Sequence, residues 1–130
     1  MTLPEWQALP PAAAARALHA RLAALPPGLR HAALAFVERE AALAPAFAAA
    51  PAGAPLRGVA CFVKDLFDVR GVPTCAGSTF LPEVRATPAV DAALVRRLRE
   101  LGAVIAGKTH LVEFASGLTG ENPHYGDCPH

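Results

Sequence analysis

At 130 residues the chain suits one domain of ordinary size and is too short for two. Apolar residues make up 53% of it, enough for a core and unlike a disordered chain. The formal net charge of +1 gives no reason to expect nucleic acid or an acidic membrane as partner. Its apolar stretches are broken by charge or proline well short of a membrane span.

Residues 1–50 read as a helical segment. Met1–Trp6 has no basic region of the secretory kind, so a cytoplasmic protein is expected. Pro10-Pro11 opens an alanine-rich helix with Leu18, Leu22 and Leu25 at helical spacing, and Pro26-Pro27-Gly28 stops it. A second helix is predicted from Leu29 through Ala33, Phe36 or Val37 and Glu40, ended or kinked at Pro45. His19 and His31 read as solvated helix-face histidines.

Residues 51–55, Pro-Ala-Gly-Ala-Pro, form a linker, and residues 56–130 read as a second, α/β portion. Arg57 to Val63 is an apolar run with no alternation, as in a strand covered on both faces. A loop-rich stretch follows through Ser78. Thr87-Pro88 is a helix-start signal, with Asp91 in the first turn, Val90, Leu94, Leu98 and Leu101 as the apolar stripe, and Gly102 as the stop. Ala103–Ala106 is a further buried strand. Strand, loop, helix, strand is a βαβ order, which implies a parallel pair. Gly117–His130 reads as irregular loop.

Cys61, Cys75 and Cys128 are odd in number and have no framework spacing, which fits free thiols in a reducing compartment. With His124 and His130 they lack the Cys-x-x-Cys spacing of structural zinc sites, so no metal is expected.

Gly102 to Thr109 matches the phosphate-loop pattern G-x-x-x-x-G-K-[ST] letter for letter. That mechanism needs a strand before the first glycine and a flexible loop between the two. Here a helix precedes Gly102 and a hydrophobic strand fills the gap, so its amides would be tied into a sheet. Nucleotide binding is rejected and no cofactor is expected.

Lys64 is the residue that points to chemistry. Ten of the twelve basic residues are arginine, and only Lys64 and Lys108 are lysine. Arginine cannot give up its proton, whereas a desolvated lysine can, its pKa falling from about 10.4 toward neutrality. Lys64 follows the first strand at its C-terminal end, the edge where open α/β sheets gather their sites. Asp65 comes next and in an extended chain points to the other face, so it is not an automatic partner for Lys64.

Several ordered blocks carry a family resemblance. They are Pro55–Val59 with Val63-Lys64-Asp65, Gly71–Thr74, Ala76-Gly77-Ser78, Ala86-Thr87, Asp91-Ala92 with Val95 and Leu98, Gly102–Thr109, Glu113–Ala115 and Asn122–Gly126. Together they resemble the opening signature of the amidase-signature family. The resemblance implies the first βαβ part of a mixed sheet, an incomplete α/β/α sandwich. It implies a carboxamide-hydrolysing Ser-cisSer-Lys enzyme in which Lys64 is the neutral base. Asp65, Gly77, Ser78, Asp91, Lys108 and Glu113 would be supporting residues.

In such enzymes the two serines lie in a Gly-Ser-rich stretch after the segment equivalent to Asn122–Gly126, and this sequence stops at His130. Ser78 and Ser116 sit in no such motif. The resemblance therefore implies an N-terminal fragment that is inactive alone. A small-molecule amide would be the substrate of the complete parent, and a homodimer or amidotransferase partner subunits are open to it. The alternative is a non-catalytic remnant or interaction module of the same origin.

Overall fold

The computed structural model describes residues 2–128. His130, recruited above for the zinc reading, lies outside them, as does Met1. The elements run α1 (Leu3–Gln7), α2 (Pro11–Ala23), α3 (Pro27–Ala33), β1 (Leu34–Val37), α4 (Glu40–Ala48), β2 (Ala60–Lys64), α5 (Leu81–Val84), α6 (Ala93–Glu100) and β3 (Val104–Thr109). A short 3-10 turn, Glu113–Ala115, follows. The three strands make one mixed sheet in the order β1-β3-β2. None of these helices is long and apolar enough to cross a membrane.

The expected parallel pair is present, with Ala60 opposite Val104 and Lys64 opposite Thr109. The segment matching the phosphate-loop pattern is strand β3, hydrogen-bonded on both sides. One face of the sheet carries Val104 and Ala106, which pack with Ala14, Ala15, Leu18 and Leu22 of α2 and Leu43 and Phe47 of α4. Ile105 points the other way, as strand alternation requires, and joins Val63, Val69, Val72 and Val95. Helices thus lie on both sides of the sheet.

The second helix predicted from Leu29 is three elements. It stops at Ala33, and Leu34–Val37 forms β1 antiparallel to β3. His110 N–H donates to Ala33 O and Glu38 N–H to Ala106 O, both at 2.9 Å, so β3 captures this segment at both ends. Satisfying the open side of β3 outweighs the helix preference of the surrounding alanines. Pro45 does not end α4, which continues to Ala48 with Leu43 and Phe47 buried against α2. His19 is not a solvated histidine: it is half-buried, with Nε2 2.9 Å from Glu38 O. His31 is exposed.

Helix α6 starts six residues after Thr87, and its buried residue is Val95, with Leu98 of the expected stripe partly buried against the same core. Val90 is 72% exposed and Leu94 46%. The backbone before α6 is committed elsewhere. Gly71 N–H donates to Pro88 O and Ala92 N–H to Asp68 O, each at 2.9 Å. Asp91 Oδ1 accepts the Arg70 N–H at 2.8 Å. These bonds tie residues 88–92 to the loop after β2 and leave them unavailable for a helical turn.

Gly107 marks the tightest point of the sheet. A side chain there would collide with the Phe36 carbonyl and lie 2.6 Å from the Phe62 ring.

Candidate active site

β2 and β3 end side by side, and the chain turns sharply after Lys64. Asp65 N–H donates to Thr109 O at 2.9 Å and Phe67 N–H to Lys64 O at 3.0 Å. Lys64 is exposed at this strand end. Among the described residues no hydrogen bond or ion pair engages its side chain.

Its neighbour is the opposite. Asp65 is 1% exposed, and its Oδ1 lies 2.5 Å from Nζ of Lys108, itself 1% exposed. Lys108 also donates to Thr74 Oγ1 at 3.0 Å and Pro73 O at 3.2 Å, so one ammonium group joins the carboxylate to the 73–74 turn. Asp65 Oδ2 accepts the Cys75 N–H at 3.1 Å, and Asp65 O accepts the Ala76 N–H at 3.0 Å. Thr74 passes the network outward, donating to Asp68 Oδ1 at 2.8 Å. Asp68 is gripped by both nitrogens of Arg85, at 3.0 and 2.7 Å. The hydrogen bond from Arg85 holds the Asp68 carboxyl below the usual range, with Thr74 and the Lys108 charge adding to it against burial.

The Ala76-Gly77-Ser78 turn is held from the far side. Ala76 and Gly77 both have positive φ, 52° and 73°. A side chain on Gly77 would lie 2.6 Å from Leu111 O and 2.9 Å from the Asn122 amide, so only glycine fits. Asn122 is 2% exposed. Its Nδ2 donates to Gly77 O and Leu111 O, at 2.9 and 2.8 Å. Its Oδ1 accepts from His124 N–H and Tyr125 N–H, at 2.8 and 3.1 Å. Ser78 is fully buried, its Oγ accepting the Phe80 N–H at 3.2 Å and its carbonyl accepting from the Tyr125 hydroxyl at 3.2 Å. Ser116 is exposed and donates to Glu113 O at 2.7 Å.

The structure therefore brings Lys64, Asp65, Lys108, Gly77 and Ser78 to one strand end. Asp91 and Glu113 make their contacts elsewhere. Asp91 joins Arg70 N–H to Arg99 Nε, the latter at 2.9 Å, and Glu113 Oε1 lies 3.3 Å from His124 Nε2. Sequence reasoning did not single out Thr74, Asp68, Arg85, Asn122 and Tyr125. Thr74, Asn122 and Tyr125 lie inside the blocks that carry the family resemblance, but nothing local tells them from loop residues. Burial raises the thiol pKa of Cys75, with the Asp65 charge adding to it, and burial raises that of Cys61. Cys61 and Cys75 are free thiols. Among the described residues no group of His, Cys, Asp and Glu side chains is placed to hold a metal ion.

The amidase family model matches residues 13–130. The chain belongs to the amidase family. The curated amidase relatives include AtzE, a 1-carboxybiuret hydrolase subunit from Pseudomonas sp. (strain ADP), 51% identical over 75 residues, which are 55% of this chain and 16% of that protein. A glutamyl-tRNA(Gln) amidotransferase subunit from Acidothermus cellulolyticus is 40% identical over 112 residues, 82% of this chain and 21% of its own. A solved amidase superposes with a TM-score of 0.76 at 37% identity, over 98% of this chain and 31% of that one. The allophanate hydrolase of Kluyveromyces lactis superposes with a TM-score of 0.75 at 29% identity, covering 97% of this chain and 22% of that one. The chain thus spans between a sixth and a third of the length of these relatives.

Proposed function

We propose that this chain supplies the base, Lys64, of a Lys-cisSer-Ser amidohydrolase that cleaves a carboxamide C–N bond. The observation that carries the reading is the position and freedom of Lys64. It stands at the C-terminal end of a parallel pair, and the carboxylate beside it is already taken by Lys108. In this mechanism neutral Lys64 accepts a proton relayed through one serine from a second serine. The second serine oxygen attacks the amide carbonyl, and the amine leaves with a proton returned along the same path. Water then attacks the acyl-enzyme ester and releases the acid.

In this reading neither serine is one of the two that the 130 residues contain, Ser78 and Ser116, and the chain by itself does not turn over. Ser78 and Ser116 support this division, since the first is buried against Phe80 and Tyr125 and the second is bonded to its own turn. The substrate is a small carboxamide. Because the relatives include an amidotransferase subunit, partner subunits belong to the same proposal. A homodimer and a cytoplasmic location are proposed with it.

The test is carboxamide hydrolysis followed by ammonia release. The purified 130-residue chain is expected to show none. A chimaera of an amidase relative carrying this chain in place of its matching segment is expected to turn over. There Lys64→Ala should cost about 10²–10⁴-fold in kcat/KM. Turnover by the short chain alone, or a chimaera indifferent to Lys64→Ala, would overturn the proposal.

A further inference from the structure

Lys108 and Asp65 are among the largest fully buried side chains, yet neither accepts a proton in the reaction above. A buried ion pair is a poor way to gain stability, because desolvation offsets the attraction. Its presence at this strand end therefore asks for another reason.

The reason lies one peptide bond away. A carboxylate adjacent to a lysine favours the protonated ammonium, the wrong state for a base. Here the carboxylate next to Lys64 is bound to a second lysine. Lys108 pairs its charge with Asp65 and donates hydrogen bonds to Thr74 and Pro73. Asp65 in turn holds the Cys75 and Ala76 amides. Through Thr74 the pair continues to Asp68 and Arg85, so the chain of two carboxylates and two cations is neutral as a whole. Lys64 stands beside a neutral, fixed cluster and not beside an open anion.

We propose that Lys108 is a positioning residue for Lys64: by binding Asp65 and the 73–75 turn, it denies Lys64 a counter-ion and fixes the backbone from which it projects. This rests on the reading of Lys64 as the base. The other titratable groups near the pair are the Asp68 carboxyl, the Cys75 thiol, the His110 imidazole and the Tyr125 hydroxyl, all of which feel Asp65 or Lys108. At neutral pH the thiol, the imidazole and the hydroxyl are uncharged, since burial raises the first and last and lowers the imidazole.

The chain contains two lysines, so carbon-13 labelling at lysine Cε gives two resonances. A Cys75→Ser background removes the thiol from the alkaline range, and Tyr125 is followed by its ultraviolet band. Lys108→Met should leave Asp65 uncompensated and lower the acid dissociation constant of Lys64 by about tenfold. Asp65→Asn should leave Lys108 uncompensated and raise that constant by a similar factor. The double variant Asp65→Asn, Lys108→Met should return it to the parent value. Where Lys108→Met fails to fold, Asp65→Asn and the double variant decide. Single variants that leave Lys64 unmoved, or move it in the same direction, would overturn the proposal. Failure of the base assignment is read separately, from a chimaera that turns over after Lys64→Ala while the opposed shifts persist.

Discussion

The side-chain amide of Asn122 reaches back to the carbonyl of Gly77 at 2.9 Å and holds the Leu111 carbonyl at 2.8 Å with its other proton. This one residue closes the tail of the chain over the turn beside Lys64. Asn122→Ala should leave buried carbonyls and amides unpaired and destabilise the chain by about 3 kcal/mol in urea denaturation. Asn122→Asp should cost more at neutral pH, because two carbonyl oxygens would then face a carboxylate. Part of that loss should return on acidification.

Gly107→Ala should part β1 from β3. The new methyl would meet the Phe36 carbonyl and the Phe62 ring. Overpacking of this kind costs about 1–3 kcal/mol. Amide exchange should report it first at Glu38 and His110, whose N–H groups close the two ends of β1.

Arg85 should matter at neutral pH and not in acid. Its hydrogen bond holds the Asp68 carboxyl below the ordinary range, so the folded chain binds that proton later than the unfolded one. The stability gained is present above the unfolded pKa of about 4 and is lost as pH falls through the lower folded value. Arg85→Met should be less stable than the parent at pH 7. The gap should close as pH falls below that range, as read by denaturation midpoints.

His110 adds a second acid-sensitive group. Burial lowers its pKa, and its ring stacks on Tyr125 with centroids 4.0 Å apart. The neutral imidazole is the form the fold accepts. Its contribution is therefore intact above about pH 6.5 and falls away as pH drops through the lower folded value. His110→Phe keeps the stack and removes the proton, so the stability loss below pH 6.5 should be shallower than in the parent.

What the sequence made legible was local. The strand before Lys64 and the strand before Lys108 announced themselves as short apolar runs between turn residues. The same reading removed the phosphate-loop match, since Ala103–Ala106 could not be both strand and cradle. What escaped depended on distant partners. Leu34–Val37 looks helical among alanines and becomes a strand because β3 lies open beside it. Thr87-Pro88 is a sound helix start, but Asp91 is spent on the Arg70 amide and the helix waits until Ala93. Lys108 and Asp65 were both visible as candidate supporting residues. Their union was not, because no periodicity links a strand interior to a turn on another strand.

The burial of Lys108 has a practical corollary for labelling. Of the two ε-amines in the chain, one is sealed against Asp65, Thr74 and Pro73, and the other stands at the surface. Acylating reagents, reductive methylation and amine-directed cross-linkers should therefore modify a single side chain, Lys64, apart from the terminal amine. A fluorophore delivered by ordinary lysine chemistry would land on the proposed base without any engineered cysteine. Modification of Lys108 as well would count the molecules in which that strand end has come apart.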